Sequence, residues 1–184
     1  MMERMELIPR AKAIILSPAT EWRAIAAEPN DAQALYLRYA VPLAAASALA
    51  AFIGLALIGR IFGYPGAIGS AFFSAIVGFF FSLIGIFIVA KLAAFLAPKF
   101  GGVADDGAAL KLVVYSNTAG WLASLFLIIP PLGFLVILGL YGVYLFWTGV
   151  GPMLRVPNDK KLVFVLALVA TAIVLNLLIG LILR

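Results

Sequence analysis

The chain contains no cysteine and no histidine among its 184 residues. Without cysteine it has no disulfide framework, no thiolate nucleophile and no cysteine-ligated zinc site. Without histidine it lacks a Ser-His-Asp triad, an imidazole base and an HExxH metal site. These two absences exclude several classes of enzyme and metalloprotein before any pattern is considered.

Charged side chains are also scarce: they make up 11% of the chain, against about 25% in an ordinary soluble domain. Hydrophobic residues make up 65%, and the mean hydropathy is +1.16. Four stretches carry no charge at all and together cover 116 residues: 39–59, 61–90, 112–154 and 162–183. Because a soluble core of this size could not bury so much apolar surface, the composition indicates a polytopic membrane protein.

The uncharged stretches predict an all-α fold, with a bundle of five transmembrane helices in 39–184 and short amphipathic helices in an N-terminal segment, 1–38. Pro98 ends the second span, and Pro130-Pro131 divides the stretch 112–154, which is too long for one helix. Asp105 and Asp106 are suited to capping the third helix. The predicted spans are about 39–59, 68–97, 108–129, 132–150 and 161–183.

The basic residues are distributed unequally between the two ends of the predicted bundle. Eleven lie in the N-terminal segment, the 91–111 region and the 155–161 connection, whereas only Arg60 and Arg184 lie at the opposite end. This asymmetry predicts a cytoplasmic N-terminus and a C-terminus outside. The net charge of +5 follows from the same bias and favours anionic lipid as a partner. Nucleic acid is not an expected partner, because the basic residues are dispersed and accompany no recognition module.

The N-terminal segment has apolar residues at helical spacing. Ser17-Pro18 reads as an N-cap followed by proline at the first helical position, which predicts a break and a second short helix over 18–27. Two interpretations stay open: the helices lie in the membrane interface with Trp22 at headgroup depth, or they pack on the cytoplasmic end of the bundle. The apolar face consists of Leu7, Ala11, Ile14, Ile15, Pro18, Trp22 and Ile25.

All eight carboxylates lie outside the predicted spans or at their edges. Transport coupled to protons or sodium usually needs an acidic residue within the membrane, and two-carboxylate or two-metal hydrolysis needs a suitable pair. We therefore expect neither an enzyme nor a cofactor. Lys91 is the one basic residue placed within hydrocarbon; snorkelling to the interface is the favoured interpretation, and contact with a lipid phosphate or ligand is the alternative.

Small and amide side chains within the spans offer further candidate contacts. Asn117 and Asn176 need hydrogen-bond partners in hydrocarbon, so interhelical bonds are expected, with a polar substrate site as the alternative. Small residues recur at every fourth position of the second span and allow close approach of another helix. Packing within the same bundle is favoured over a dimer face for this stripe, which consists of Ser70, Ser74, Gly78 and Ser82.

Several short motifs follow one another along the chain: Ser17-Pro18 with Glu21-Trp22, Phe100-Gly101-Gly102, Leu110–Thr118, Trp121-Leu122-Ala123, Ile129-Pro130, Leu132-Gly133, Tyr141–Leu145 with Gly149, and Pro157-Asn158-Asp159-Lys160. In their order and spacing they resemble the bacterial branch of the Yip domain family, the family of the Ypt-interacting proteins. The resemblance covers about residues 12–175 and implies a five-helix domain with a cytoplasmic N-terminus, here in the cytoplasmic membrane of a bacterium.

The chain departs from that family at two places. Ala119-Gly120 stands where bacterial relatives commonly carry proline, so a kink in the third span is softened. Nothing matches the Leu-x-Gly-Pro motif of the longer eukaryotic N-terminal region. The association of that branch with Rab-type GTPases therefore does not carry over to this chain.

Two functional hypotheses follow. The first is a non-enzymatic, membrane-organising adaptor for unidentified protein partners or lipids, with a homo-oligomer as a further option. Its cytoplasmic face would combine segment 5–27, the Phe100–Asp106 loop and the Arg155–Lys161 connection; the alternative is that the lysines only fix topology. The candidate contacts on this face are Trp22, Lys99, Phe100, Arg155, Lys160 and Lys161.

The second hypothesis is a carrier or channel for a small or lipidic substrate. A water-filled central cavity would favour the carrier, whereas a dry bundle would favour the adaptor. The residues expected to line such a cavity are Asn117, Thr118, Thr148 and Asn176.

The topology is testable with reporter fusions. Alkaline phosphatase fused after Arg184 is expected to be active in a bacterial host, and the same reporter fused after Gly102 is expected to be silent, because it folds only outside the cytoplasm. The reverse pattern of activity would contradict the predicted orientation.

Overall fold

The computed structural model describes residues 7–182, and within that range it consists of helices and turns without a strand. The α-helices in the described range are α1 (Leu7–Leu16), α2 (Pro18–Ala27), α3 (Ala32–Leu35), α4 (Val41–Ile61), α5 (Ala67–Leu96), α6 (Asp106–Ser124), α7 (Tyr141–Leu154) and α8 (Asn158–Ile182).

Four helical stretches are long and apolar enough to cross a membrane: Ala32–Ile61, Ala67–Phe100, Asp106–Ile128 and Pro130–Leu154. They coincide with the first four predicted spans, and the all-helical class is confirmed. The fifth predicted span falls in α8, and some side chains of that helix lie outside the described residues. A fifth crossing therefore stays a prediction.

The first stretch begins earlier than predicted because a π-helical turn, Tyr36–Ala40, joins α3 to α4. Pro42 has no backbone N–H, so the Arg38 carbonyl cannot receive the usual α-helical hydrogen bond. The wider turn accommodates this loss: the Val41 N–H bonds to the Tyr36 carbonyl instead. The chain thus continues as one helical rod and brings Tyr39 into the core.

The connection from α5 to α6 uses the residues that the sequence singled out. Pro98 lies in a 3₁₀ turn, Ala97–Phe100, and Gly101 follows in the left-handed region with φ of +83°. Asp105 caps α6, since its carboxylate accepts a hydrogen bond of 2.9 Å from the Ala108 N–H. The predicted capping is confirmed for Asp105, whereas Asp106 forms an ion pair with Lys91.

The first half of the fourth predicted span is a 3₁₀ helix rather than an α-helix. Residues Pro130–Leu140 form a 3₁₀ helix of eleven residues, far longer than the usual three or four. Positions three apart lie in one row in such a helix, and Gly133 and Gly139 share the row that faces the bundle. A Cβ added at Gly139 would lie 3.2 Å from the Gly120 Cα, so this row allows close backbone packing.

Helix α6 is the centre of the bundle. Most of its side chains are buried, and it contacts α1, α3, α4, α5, α7 and the 3₁₀ helix. Helix α5, in contrast, exposes most of its length. The side chains of α6 therefore form much of the contact surface on which the other helices pack.

Gly54 on α4 provides a test of this packing. A Cβ at Gly54 would lie 2.0 Å from the Leu127 carbonyl oxygen, so Gly54→Ala must separate the two backbones. We expect the free energy of unfolding in detergent to fall by about 1–3 kcal/mol. Gly78→Ala is the matched control, because a Cβ there meets no atom within 4 Å. Equal stability of the two variants would contradict the close approach of α4 to the backbone at Leu127.

Candidate functional site

Helices α1 and α2, here called the N-terminal helix pair, pack against one end of the bundle. Ile14, Trp22 and Ile25 are fully buried. The Trp22 Nε1–H lies 3.1 Å from the Leu145 carbonyl oxygen and 3.2 Å from the Thr148 Oγ1, so the ring is held by α7. Of the two interpretations of this segment, packing on the bundle is the one observed. Trp22 as a lipid or partner contact is wrong, because its indole is fully buried inside the protein.

A glycine makes room for this indole. A Cβ at Gly149 would lie 2.6 Å from the Trp22 Cε2 and 2.6 Å from the Leu112 Cδ1. The ring also makes an edge contact with Tyr115, with 6.3 Å between centroids. Trp22 therefore joins α2 to both α6 and α7.

An ionic cluster closes the N-terminal helix pair. Arg10 on α1 donates hydrogen bonds to Glu21 and Glu28, and its guanidinium lies 5.9 Å from the centroid of the Tyr115 ring. Burial lowers the pKa of Arg10, but the charge of Glu28, aided by Glu21, outweighs burial and raises the pKa above its ordinary value. Arg10 therefore stays protonated, and its charge folds α2 back onto α1.

Lys111 anchors this pair to the central helix. Its side chain is only 6% exposed, and its ammonium donates hydrogen bonds of 3.0 Å to the Ile25 carbonyl and 2.7 Å to the Glu28 carbonyl. These carbonyls lie at the end of α2, where the Ile25 carbonyl also accepts a 3.3 Å hydrogen bond from the Glu28 N–H, so Lys111 is a second donor to that carbonyl. From the sequence, Lys111 is predicted only to contribute to topology. Its position between two leucines, in a motif with no other charged residue, could have indicated a buried cation.

Polar side chains deeper in the bundle bond to one another. The hydroxyl groups of Tyr39 and Thr118 lie 2.8 Å apart, and the Tyr39 and Tyr115 rings meet at a centroid distance of 4.8 Å. Thr148 donates a hydrogen bond of 2.9 Å to the Leu145 carbonyl. Thr118 is fully buried and therefore belongs to the packed interior, whereas Thr148 is half-buried and bonds to its own helix and to Trp22.

Two of the three segments expected to form one face contact each other beside the N-terminal helix pair, since a Cβ at Gly102 would lie 2.8 Å from the Val156 Cγ2. The Val103 N–H donates a 2.8 Å hydrogen bond to the Leu154 carbonyl, which joins the loop after α5 to the end of α7. Asn30, which follows α2, donates a 3.2 Å hydrogen bond to the Asp105 carboxylate in the same loop. These contacts define one continuous surface, here called the capped face.

The candidate contacts on the capped face divide into two groups. Lys99, Arg155 and Lys160 are exposed. Phe100, in contrast, packs on the Phe164 ring with 5.6 Å between centroids, and Lys161 is 9% exposed with its ammonium 5.2 Å from the Trp147 ring centroid. Phe100 and Lys161 therefore support the surface from inside.

Two intramembrane candidates have partners within the protein. Lys91 is exposed and pairs with Asp106 at 2.6 Å, and its snorkelling to the interface stays a prediction. The Asn117 amide donates to the Val113 carbonyl at 3.3 Å within α6, so the expected interhelical bond is wrong. A carbonyl one turn back lies within reach of the short side chain. The prediction for Asn176 falls outside the described side chains.

The stripe of small residues is only partly internal. Ser82 accepts a 3.1 Å hydrogen bond from the Trp121 Nε1–H. Ser70, Ser74 and Gly78 are exposed, and a Cβ at Gly78 would meet no atom within 4 Å. Packing within the bundle is therefore wrong for these three residues, because α5 has no neighbour on that side in the described chain.

The role of Lys111 is testable by removing its charge at similar length. Lys111→Met leaves the last carbonyls of α2 without this donor, and we expect the free energy of unfolding in mixed micelles to fall by about 2 kcal/mol. Hydrogen exchange should increase over residues 25–31. Lys12→Met is the control, because Lys12 is exposed. Unchanged exchange in the Lys111 variant would contradict the anchoring role.

The comparisons with known proteins agree with this architecture. The Yip1 domain matches residues 12–179, which confirms the resemblance to the Yip family, while the bacterial branch stays a prediction. No curated protein and no solved structure shows significant similarity to the chain. The Yip1 family is a family of non-catalytic membrane proteins. Because the match extends over most of its length, the chain belongs to the Yip1 domain family.

Proposed function

We propose that this protein is a non-enzymatic, membrane-organising adaptor of the bacterial cytoplasmic membrane, which gathers lipids and protein partners at its capped face. In this proposal the chain crosses the bilayer five times, with its N-terminus in the cytoplasm and its C-terminus outside. The unequal distribution of basic residues supports the orientation, since eleven lie in the segments predicted to be cytoplasmic and two in those predicted to be outside.

The observation that carries the proposal is the anchoring of the N-terminal helix pair by Lys111, Arg10 and Trp22. These contacts hold α2 against α6 and α7, so the capped face is assembled before any partner arrives. A preformed surface avoids much of the entropy cost of ordering loops on binding. The anchoring therefore suits a docking platform better than it suits a pair of mobile membrane-surface helices.

The charge of the capped face favours anionic headgroups. Each basic residue near an anionic membrane surface contributes about 1 kcal/mol to attraction. Arg10, which is half-buried, and Lys111, which is buried, form hydrogen bonds within the protein and do not contribute to this attraction. The exposed basic residues left for lipid or acidic partners include Lys12, Arg23, Lys99, Arg155 and Lys160.

The carrier hypothesis has less support at two of the four positions expected for it, whereas Asn117 does line a groove. Thr118 and Thr148 are engaged in internal hydrogen bonds, which favours a closed interior along that part of the bundle. The adaptor is therefore the function proposed here.

The proposal is tested by counting bound lipids. The double variant Lys99→Ala/Lys160→Ala removes two exposed cations from the capped face. Because each contributes about 1 kcal/mol, we expect a loss of at least about tenfold in retention of phosphatidylglycerol relative to phosphatidylcholine. Native mass spectrometry of protein released from mixed nanodiscs provides the measurement.

Arg60→Ala is the control, since Arg60 is exposed at the opposite end and its removal should lower retention only slightly. Equal retention by the double variant and the wild type, with orientation unchanged in the reporter fusions, would leave these lysines as topological signals and contradict the platform. Trp22→Ala is unsuitable as a surface variant, because it empties a core position.

A further inference from the structure

A groove of about 580 Å³ lies between α4, α5, α6 and the 3₁₀ helix, away from the capped face. Ser47, Ser82, Asn117 and Ser124 line it together with apolar residues of the 3₁₀ helix. Ser82 stands at the midpoint of the 30-residue helix α5, so the groove lies near the middle of the hydrocarbon layer. Its volume falls within the range of about 300–1,000 Å³ that is typical of ligand sites.

The polar groups of the groove are not all used within the protein. Ser124 donates a 2.8 Å hydrogen bond to the Gly120 carbonyl, and the Asn117 amide nitrogen donates to Val113. Ser82 accepts from Trp121, which leaves its own hydroxyl proton free to donate. The Ser47 hydroxyl and the Asn117 Oδ1 have no hydrogen-bond partner within residues 7–182. In hydrocarbon, such unpaired groups are costly, so an occupant that pairs with them is favoured.

The exposure and the charge of the other lining residues indicate which kind of molecule the groove can bind. Ile137 and Leu140 are 65% and 66% exposed, so the groove opens sideways towards lipid. No Asp, Glu, Lys or Arg is among the described residues that line it. A charged headgroup would therefore find no counterion at this depth, and its burial would be unfavourable. An uncharged molecule with both hydroxyl and carbonyl groups satisfies the donors and the acceptor together.

We propose that the groove binds a neutral amphiphilic lipid of the diacylglycerol class. The lipid hydroxyl donates to the Asn117 Oδ1, an ester carbonyl accepts from Ser47 or Ser82, and the acyl chain follows Ile137 and Leu140. The site is distinct from the capped face in place and in charge preference. An experiment can therefore contradict the proposal for the groove without contradicting the proposal for the capped face, and the reverse.

Photolabelling tests the site directly. The probe is a diacylglycerol with a diazirine in one acyl chain, and the matched probe is phosphatidic acid with the same chains, both in nanodiscs. We expect the diacylglycerol probe to label residues 117–140, excess unlabelled diacylglycerol to compete, and phosphatidic acid to label at least about fivefold less.

Gly120→Leu fills the groove. Gly120 lines the groove, and a Cβ there meets no atom within 4 Å, so the new side chain starts in open space. We expect labelling of residues 117–140 to fall at least about fivefold while thermal stability is retained. Gly69→Leu is the matched control: its Cβ also meets no atom within 4 Å, and it lies on α5 outside the groove.

Ser47→Val is an independent variant, because it removes a hydroxyl without changing the backbone, and it should also weaken labelling. The proposal is overturned if Gly120→Leu and Ser47→Val label like the wild type, or if labelling spreads evenly over the exposed face of α5. Equal labelling by phosphatidic acid, or cross-linking of two protein chains through residues 117–140, would overturn it as well.

Discussion

The ammonium group of Lys111 meets the last carbonyls of α2 at a point where three helices converge, and the architecture of the capped end depends on this contact. A buried ammonium is stable only when hydrogen bonds replace its lost hydration. Here the replacement comes from the helix end that needs donors, so both partners are satisfied at once. With α2 fixed, Trp22 enters the space beside Gly149, and Arg10 can hold Glu21 and Glu28 over the Tyr115 ring.

The predictable part of the fold follows from the bilayer. Uncharged runs of sufficient length predict helices that can cross a membrane, and prolines end them, so the four long apolar stretches could be predicted from the sequence. The 3₁₀ helix could not, because a run such as Gly133–Gly139 is apolar on every side and carries no signal of helix type. Only the closeness of Gly120 to Gly139 explains why a slimmer helix fits there.

The candidate site was less predictable, because periodicity identifies an apolar face without identifying what covers it. The face that carries Trp22 could have met lipid or protein, and the choice depended on a cavity formed by distant residues such as Gly149. Asn117 was misjudged for the same reason: an amide reaches its own helix as easily as a neighbour. Gly120 lies within the continuous helix α6 and forms part of the wall of the groove.

The 3₁₀ helix also changes how far a short segment reaches. At ~2.0 Å per residue rather than ~1.5 Å, the stretch Pro130–Leu154 extends ~43 Å with its 25 residues, nearly the ~45 Å of the 30-residue stretch Ala32–Ile61. A wholly α-helical version would be ~5 Å shorter. The tighter winding thus lets a stretch of fewer residues reach nearly as far as its longer neighbour.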